Sequence, residues 1–176
     1  YIGGQSDDDG IFAFAFSRAD GTLAPLGAAA DAGAVPHHQS ADSVGDGGLM
    51  TASADGRYIY ATAADSAAAF AVGEDGMLTA LGPPVATSIP CPASAALLEG
   101  PSGRGGALIL PCYLGGGGVS VLERQADGSL GPERQLIGPF GEGSNADPAR
   151  QEEAHPHSGW LSPLGQLVLL VPDLGQ

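Results

Sequence analysis

The residues best equipped for chemistry crowd into one stretch, "RQEEAHPHS" from Arg150 to Ser158, and a later apolar run brings Asp173 back toward it. His157 is placed to act as a general base or a hydrogen-bond donor to a substrate, because imidazole alone sits near neutral pKa without perturbation. The alternative is a ring packed at a junction and bonded to a neighbouring carbonyl. His155 carries the same two readings, and period-two spacing across Pro156 allows both rings to face one side. Arg150 suits an anion clamp, since a guanidinium holds phosphate or carboxylate through two parallel bonds; otherwise it is a solvated loop arginine. Glu152 and Glu153 are adjacent, so at most one faces the same way as the histidines. One of them orients an imidazole, or both are surface charge. Asp173 ends the next apolar run, within reach of the same rim. The catalytic candidates are therefore His157, His155 and Asp173.

Other eye-catching stretches read as connections. "LGGGGVS", with Gly115 to Gly118, lacks the lysine and the strand-to-helix context of a phosphate loop. "SDDDG", with Asp7 to Asp9, lacks the ligand spacing and closing glutamate of a calcium loop. His37 and His38 in "PHHQS" have no metal partner at a sensible spacing. No metal and no cofactor are expected.

Composition narrows the function classes. The formal charge is −14, from 20 acidic residues against six arginines and no lysine. Nucleic acid and anionic membranes are poor partners for such a chain, because binding them needs a basic surface that releases counterions. Schiff-base chemistry lacks its lysine. A small anionic substrate would need a local arginine working against a repulsive overall field. No run approaches the roughly 18 to 20 apolar residues of a membrane span, and the expectation is a soluble, cytoplasmic protein.

The elements that must position the histidines emerge from self-comparison. "RADGTLAPLG", "GEDGMLTALG" and "QADGSLGPER" each carry Asp-Gly-x-Leu, at Asp20, Asp75 and Asp127, spaced by 55 and 52 residues. A second signature alternates with it, in "TASADGRYIYATAADS", "LEGPSGRGGALILPCYLG" and "WLSPLGQLVLLVPDLG": an apolar run, a Gly turn and another apolar run. Asp-Gly pairs suit tight turns that need positive φ, and "IFAFAF" and "RYIYAT" alternate with period two. Each unit reads as a four-stranded antiparallel meander, and such units repeated are propeller blades. The fold class expected is all-β, a β-propeller of about three and a half blades (residues 1–30, 46–82, 91–138 and 155–176) forming an open half-ring. The competing architecture is a β-sandwich with coincidental turn spacing.

The repeat also tests the site. Laying "CPAS" on "HPHS" puts Cys91 where His155 stands and Ala93 where His157 stands, and the second unit has Asp46 and Gly48 there. The structural place recurs and the histidines do not. In a propeller the first strand of each blade lines the channel, so a residue type that breaks the repeat at its mouth serves a site more readily than a core. Hairpin arithmetic makes Cys91 and Cys112 cross-strand neighbours with an index sum of 203, with Cα atoms roughly 4.5 to 5.5 Å apart. Two reduced thiols are expected in an intracellular enzyme, although the spacing permits a disulfide in an oxidising compartment.

"YIGGQSDDDGIFAFAFSRADGTLAPLG", "SADGRYIYATAADSAAAFAVGEDGMLTALG", "PCYLGGGGVSVLERQADGSL" and above all "RQEEAHPHSGWLSPLGQLVLLVPDLG" resemble successive pieces of the 6-phosphogluconolactonase-type lactonases, a family of seven-bladed propellers. The fungal carboxy-cis,cis-muconate cyclases share that fold. The resemblance implies a ring roughly twice this length, with the missing C-terminal half lying beyond Gln176. Substrate contacts are expected from Arg150, Glu153 and Tyr113. Two places depart from the family pattern: Cys112 stands before Tyr113 where an asparagine is usual, and "GDGGLMTAS" replaces an Asn-Pro-Ser start to the second blade.

The function expected is hydrolysis of a small anionic sugar lactone such as 6-phosphogluconolactone. His157 would activate water toward the ring carbonyl and Arg150 would place the anionic group. The alternatives are a muconate-lactone cyclase of the same fold and a non-catalytic propeller serving as a protein-interaction scaffold. An isolated half-ring should associate through its open edge.

Overall fold

The computed structural model describes residues 1–3, 10–30, 49–63, 65–91, 94–100, 103, 105–162 and 168–176. Asp7 to Asp9, His37, His38, Asp46, Gly48 and Ala93 lie outside these described residues. Fourteen strands are described, in four antiparallel sheets. The first sheet is β1 (Ile2–Gly3), β2 (Ile11–Phe16) and β3 (Leu23–Ala30), and the second is β4 (Met50–Ala52), β5 (Tyr58–Ala63), β6 (Ser66–Val72) and β7 (Leu78–Ala80), with β8 (Val85–Ala86) added on β6. The third runs β9 (Ala96–Glu99), β10 (Gly106–Cys112), β11 (Gly118–Arg124) and β12 (Leu130–Ile137), and the fourth pairs β13 (Trp160–Leu161) with β14 (Leu169–Leu170). Each sheet is a meander of neighbours in sequence, the organisation of a propeller blade, and the array is an open part of a ring. The β-sandwich alternative is set aside.

Period two explains how the blades stack. In β5, Ile59 and Ala61 pack with Ile11, Ala13, Ala29 and Ala30 of the first sheet, while Tyr60 between them packs with Leu108, Leu110 and Leu122 of the third. In β6, Ala68 and Phe70 take the first side and Ala67 and Ala69 the second. In β10, Ile109 turns the other way and joins Ala96 and Val119 against Leu161, Leu169 and Val171 of the fourth sheet. Each central strand is thus buried on both faces, as a strand between two blades must be, and the alanines let the sheets approach closely. The inner strands β4, β9 and β13 adjoin one another, so they line the channel side. At the two ends of the array the apolar faces are uncovered: Phe16, Leu23, Trp160 and Leu170 are all exposed.

The Asp-Gly-x-Leu repeat is a repeated turn. Asp20, Asp75 and Asp127 each accept the backbone N–H two residues on, from Thr22, Met77 and Ser129, at 3.2, 2.9 and 3.0 Å. The next residue is glycine with φ of 74°, 79° and 90°, the left-handed region that glycine occupies without cost. Hydroxyls sharpen two of these turns: those of Ser17 and Thr22 hold the Asp20 carboxyl below the usual carboxylate range, and that of Ser129 does the same for Asp127.

Candidate functional site at the His155–His157 rim

The third and fourth sheets meet where β10 ends. Tyr113 follows Cys112 directly, and the loop from Leu114 to Gly117 turns the chain into β11. Gly117 has φ of 68° and is buried; a Cβ there would collide with the Ala154 carbonyl and the Pro156 ring. The glycine-rich stretch read as a plain connection is therefore a seat for the histidine segment, and only glycine fits it. From the other side, Gly175 packs so tightly on Glu153 and Ala154 that a Cβ would meet their backbone.

Backbone bonds hold segment 153–157 in place. Glu153 bridges Glu142 and Pro156 bridges Asp173 as isolated antiparallel pairs. The His157 N–H donates to the Pro172 carbonyl at 3.0 Å, and the Leu174 N–H donates to the His155 carbonyl at 3.0 Å. Asp173 reaches the rim, where its Oδ1 accepts the N–H groups of His155 (2.8 Å) and Gly175 (2.7 Å). Through Oδ1 that carboxylate fixes backbone.

The two histidines share one partner. His155 is buried and stacks on the Tyr113 ring, centroids 4.3 Å apart and planes at 20°; His157 meets the same ring edge-on at 5.9 Å and 81°. Period two across Pro156 has put both rings on one side. The Nδ1 of His155 lies 2.7 Å from the Tyr113 carbonyl. A carbonyl only accepts, so Nδ1 carries the proton and the tautomer is set. Nε2 then faces Glu152 Oε1 at 3.5 Å. His155 is thus the packed, carbonyl-bonded ring of the two sequence readings. His157 is exposed, and no side chain among the described residues bonds its ring nitrogens.

The adjacent glutamates divide as their opposite directions require. Glu152 turns to His155, while Glu153 Oε2 accepts the Gly116 N–H at 3.0 Å and ties down the glycine loop. Arg150 ends an exposed turn whose backbone N–H donates to the Asp147 carbonyl at 3.0 Å, and its guanidinium has no partner among the described residues. No group of three or more metal-ligating side chains occurs among the described residues.

The cysteines correct the sequence reading. Cys91 and Cys112 form a disulfide, S–S 2.04 Å, rather than two reduced thiols. Their Cα atoms are 3.6 Å apart, closer than the ladder pair expected. The register also differs: β9 and β10 pair Glu99 with Gly106 and Ala96 with Ile109, an index sum of 99 + 106 = 205 instead of 203. A two-residue offset keeps the same faces together, and Cys91 precedes β9, so covalent closure joins the pair where no ladder does. Such a bond replaces the two reduced thiols that were expected.

A polar cluster at the opposite end of the third sheet was not foreseen. Arg124 is 2% exposed, and its Nε donates to the Tyr60 hydroxyl at 2.6 Å while Nη1 donates to the Gly103 and Gly105 carbonyls at 2.9 Å. The guanidinium also lies 5.3 Å from the Tyr58 ring centroid. The signal was present in β11, where Ser120, Leu122 and Arg124 fall on one face at period two, with Ser120 and Leu122 fully buried.

Stacked antiparallel meanders whose inner strands adjoin one another, with two histidines just before one of those strands, define the propeller class. Within it, residues 39–176 match the family described as Lactonase, 7-bladed beta-propeller, and the chain belongs to that family. No curated protein matches it. Among solved structures it is similar to a candidate 6-phosphogluconolactonase from Bacteroides fragilis (25% identity, TM-score 0.72) and another from Bacteroides uniformis (27%, 0.74). It is also similar to the periplasmic gluconolactonase of Pseudomonas aeruginosa (26%, 0.73). Each likeness covers 99% of this chain and 45 to 46% of the other, so the chain spans less than half the length of these relatives.

Proposed function

We propose that this chain carries the general-base part of a lactone hydrolase site that opens a sugar lactone. The observation behind the reading is the division of labour between the histidines. His155 has Nδ1 committed to a carbonyl and Nε2 facing a carboxylate, while His157, held edge-on by the same tyrosine, presents an unengaged imidazole to solvent. The family and the three solved neighbours support the same class of reaction.

His157 takes a proton from water as the water oxygen adds to the ring carbonyl. The tetrahedral oxyanion collapses, the bond between the carbonyl carbon and the ring oxygen breaks, and the imidazolium returns its proton to that oxygen. One water is consumed and a hydroxy acid is released. Tyr113 and His155 position the base, and Glu153 holds the loop behind them. 6-Phosphogluconolactone is one member of the substrate class.

The test is hydrolysis of glucono-1,5-lactone followed by acid release. His157→Ala should lower kcat/KM by about 100-fold or more, the range for losing a general base, with the melting temperature unchanged. Wild-type turnover no faster than the variant's would sink the reading.

A further inference from the structure

The Cys91–Cys112 bond lies one residue from the ring on which both histidines rest, and its consequence for the site builds on the lactonase reading above. Cys112 ends β10 and Tyr113 follows it. On one side β10 pairs with β11 as far as Cys112 opposite Gly118. On the inner side, among the described residues, its ladder with β9 runs from Gly106 opposite Glu99 to Ile109 opposite Ala96. Leu110, Pro111 and Cys112 therefore project past that ladder, and the bond to Cys91 closes the gap. Both cysteines are buried, in one cluster with Leu108, Leu110 and Leu122. The residues before Cys91 brace the chain on the far side of the tyrosine. Ile89 packs on the same cluster, a Cβ on Gly118 would run into its side chain, and Gly115 lies against Pro90 and Ile89. Tyr113 is thus held from both directions along the chain, by the bridge one residue before it and by a braced glycine loop beginning two residues after it.

We infer that Cys91 and Cys112 are positioning residues for His157, acting through Tyr113. The bond fixes the end of β10, so the tyrosine keeps its face on His155, its carbonyl on His155 Nδ1 and its edge toward His157. Without the bond, the last three residues of β10 lose their covalent tie on the inner side. A swing of the Tyr113 backbone then moves the ring and the carbonyl together, and both imidazoles lose their common support. A general base is sensitive to displacements on the order of 1 Å, so the effect falls on turnover more than on binding. In the sequence repeat, Cys91 stands where His155 stands one blade later. The same structural place serves the tyrosine twice, once by a sulfur bond beside it and once by a ring stacked on it.

The experiment compares the purified protein with two bridge-free forms, Cys91→Ala/Cys112→Val and Cys91→Ser/Cys112→Ala, at a temperature where each is folded by circular dichroism. Ile59→Ala serves as a control that loosens the packing between the first and second sheets, away from the rim. On glucono-1,5-lactone the bridge-free forms should lose about tenfold in kcat with KM changed by less than about twofold, while the control keeps its kcat. Nuclear magnetic resonance of the carbon-bound imidazole protons reads the same geometry without any turnover. The His155 and His157 signals should move in the bridge-free forms toward the positions they take in Tyr113→Leu, and should stay in place in the control. Ring signals unmoved by loss of the bridge overturn the inference whatever kcat does. So does an equal fall of kcat in Ile59→Ala, or a loss carried by KM. If neither bridge-free form folds, the bond is a requirement of the fold and the positioning role falls. If the wild-type protein hydrolyses no lactone, the lactonase reading falls and the ring signals alone decide whether the bridge positions the imidazoles.

Discussion

The two ends of the third sheet are built from similar parts and behave differently. At one end, the Arg124 guanidinium lies between the rings of Tyr58 and Tyr60 and bonds the carbonyls of a glycine turn. At the other, Tyr113 gathers two imidazoles beside another glycine turn, and one ring, His155, bonds the Tyr113 carbonyl. Arg124 is sealed, because complete blades stand on both sides of it. His157 is open, on the exposed side of the segment that leads into β13. Arg124 is committed to the fold by enclosure, with Nε and Nη1 bonded and Nη2 buried without a partner among the described residues, whereas a polar group with one wet face is available for chemistry.

The largest expected effect breaks the sealed end. Arg124→Leu leaves the Tyr60 hydroxyl and the Gly103 and Gly105 carbonyls without their donor. At roughly 1 kcal/mol for each buried acceptor, stability should fall by about 3 kcal/mol. Thermal melting would show this as a drop of roughly 6 to 12 °C for a chain of this size, with kcat on lactone unchanged. A lost kcat at unchanged melting temperature would erase the contrast between the ends.

A smaller effect sharpens the open end. Tyr113→Leu keeps the carbonyl that seats His155 but removes the ring that holds both imidazoles. The stability cost should be about 1 kcal/mol, the scale of aromatic pair contacts. Activity should fall about tenfold, mainly in kcat, as the base loses its fixed orientation. If His157→Ala and Tyr113→Leu lower kcat independently, so that the double variant shows the product of their losses, the tyrosine does not act through the histidine.

The smallest effect concerns acid and lies on neither end. Burial alone would raise the Glu133 carboxyl, yet the hydroxyls of Ser120 and Ser88 and the Ser88 amide outweigh it and hold its pKa low. A carboxylate whose folded pKa is depressed adds stability above its unfolded value, near 4.3, and loses it as pH falls through the folded value. Melting temperature should therefore fall below about pH 4, and Glu133→Gln should flatten that fall. Because the carboxylate is largely solvated, the change should be slight. An identical acid profile in the variant would show that this bond adds nothing.

What the chain alone determined is local. Period-two alternation and the Asp-Gly turns act over two to four residues, so strands, hairpins and blade repeats were legible, as was the break in the repeat that drew attention to His155 and His157. The tertiary structure decided what depends on a neighbouring sheet. It set which imidazole is buried and bonded to Tyr113, which glutamate faces His155, that Asp173 binds backbone amides, that Arg124 is enclosed, and that Cys91 and Cys112 meet in a bond while the β9–β10 ladder runs two residues from the assumed register. The physical reason is that a strand pattern specifies a face, while burial and partners are supplied by whichever blade that face meets.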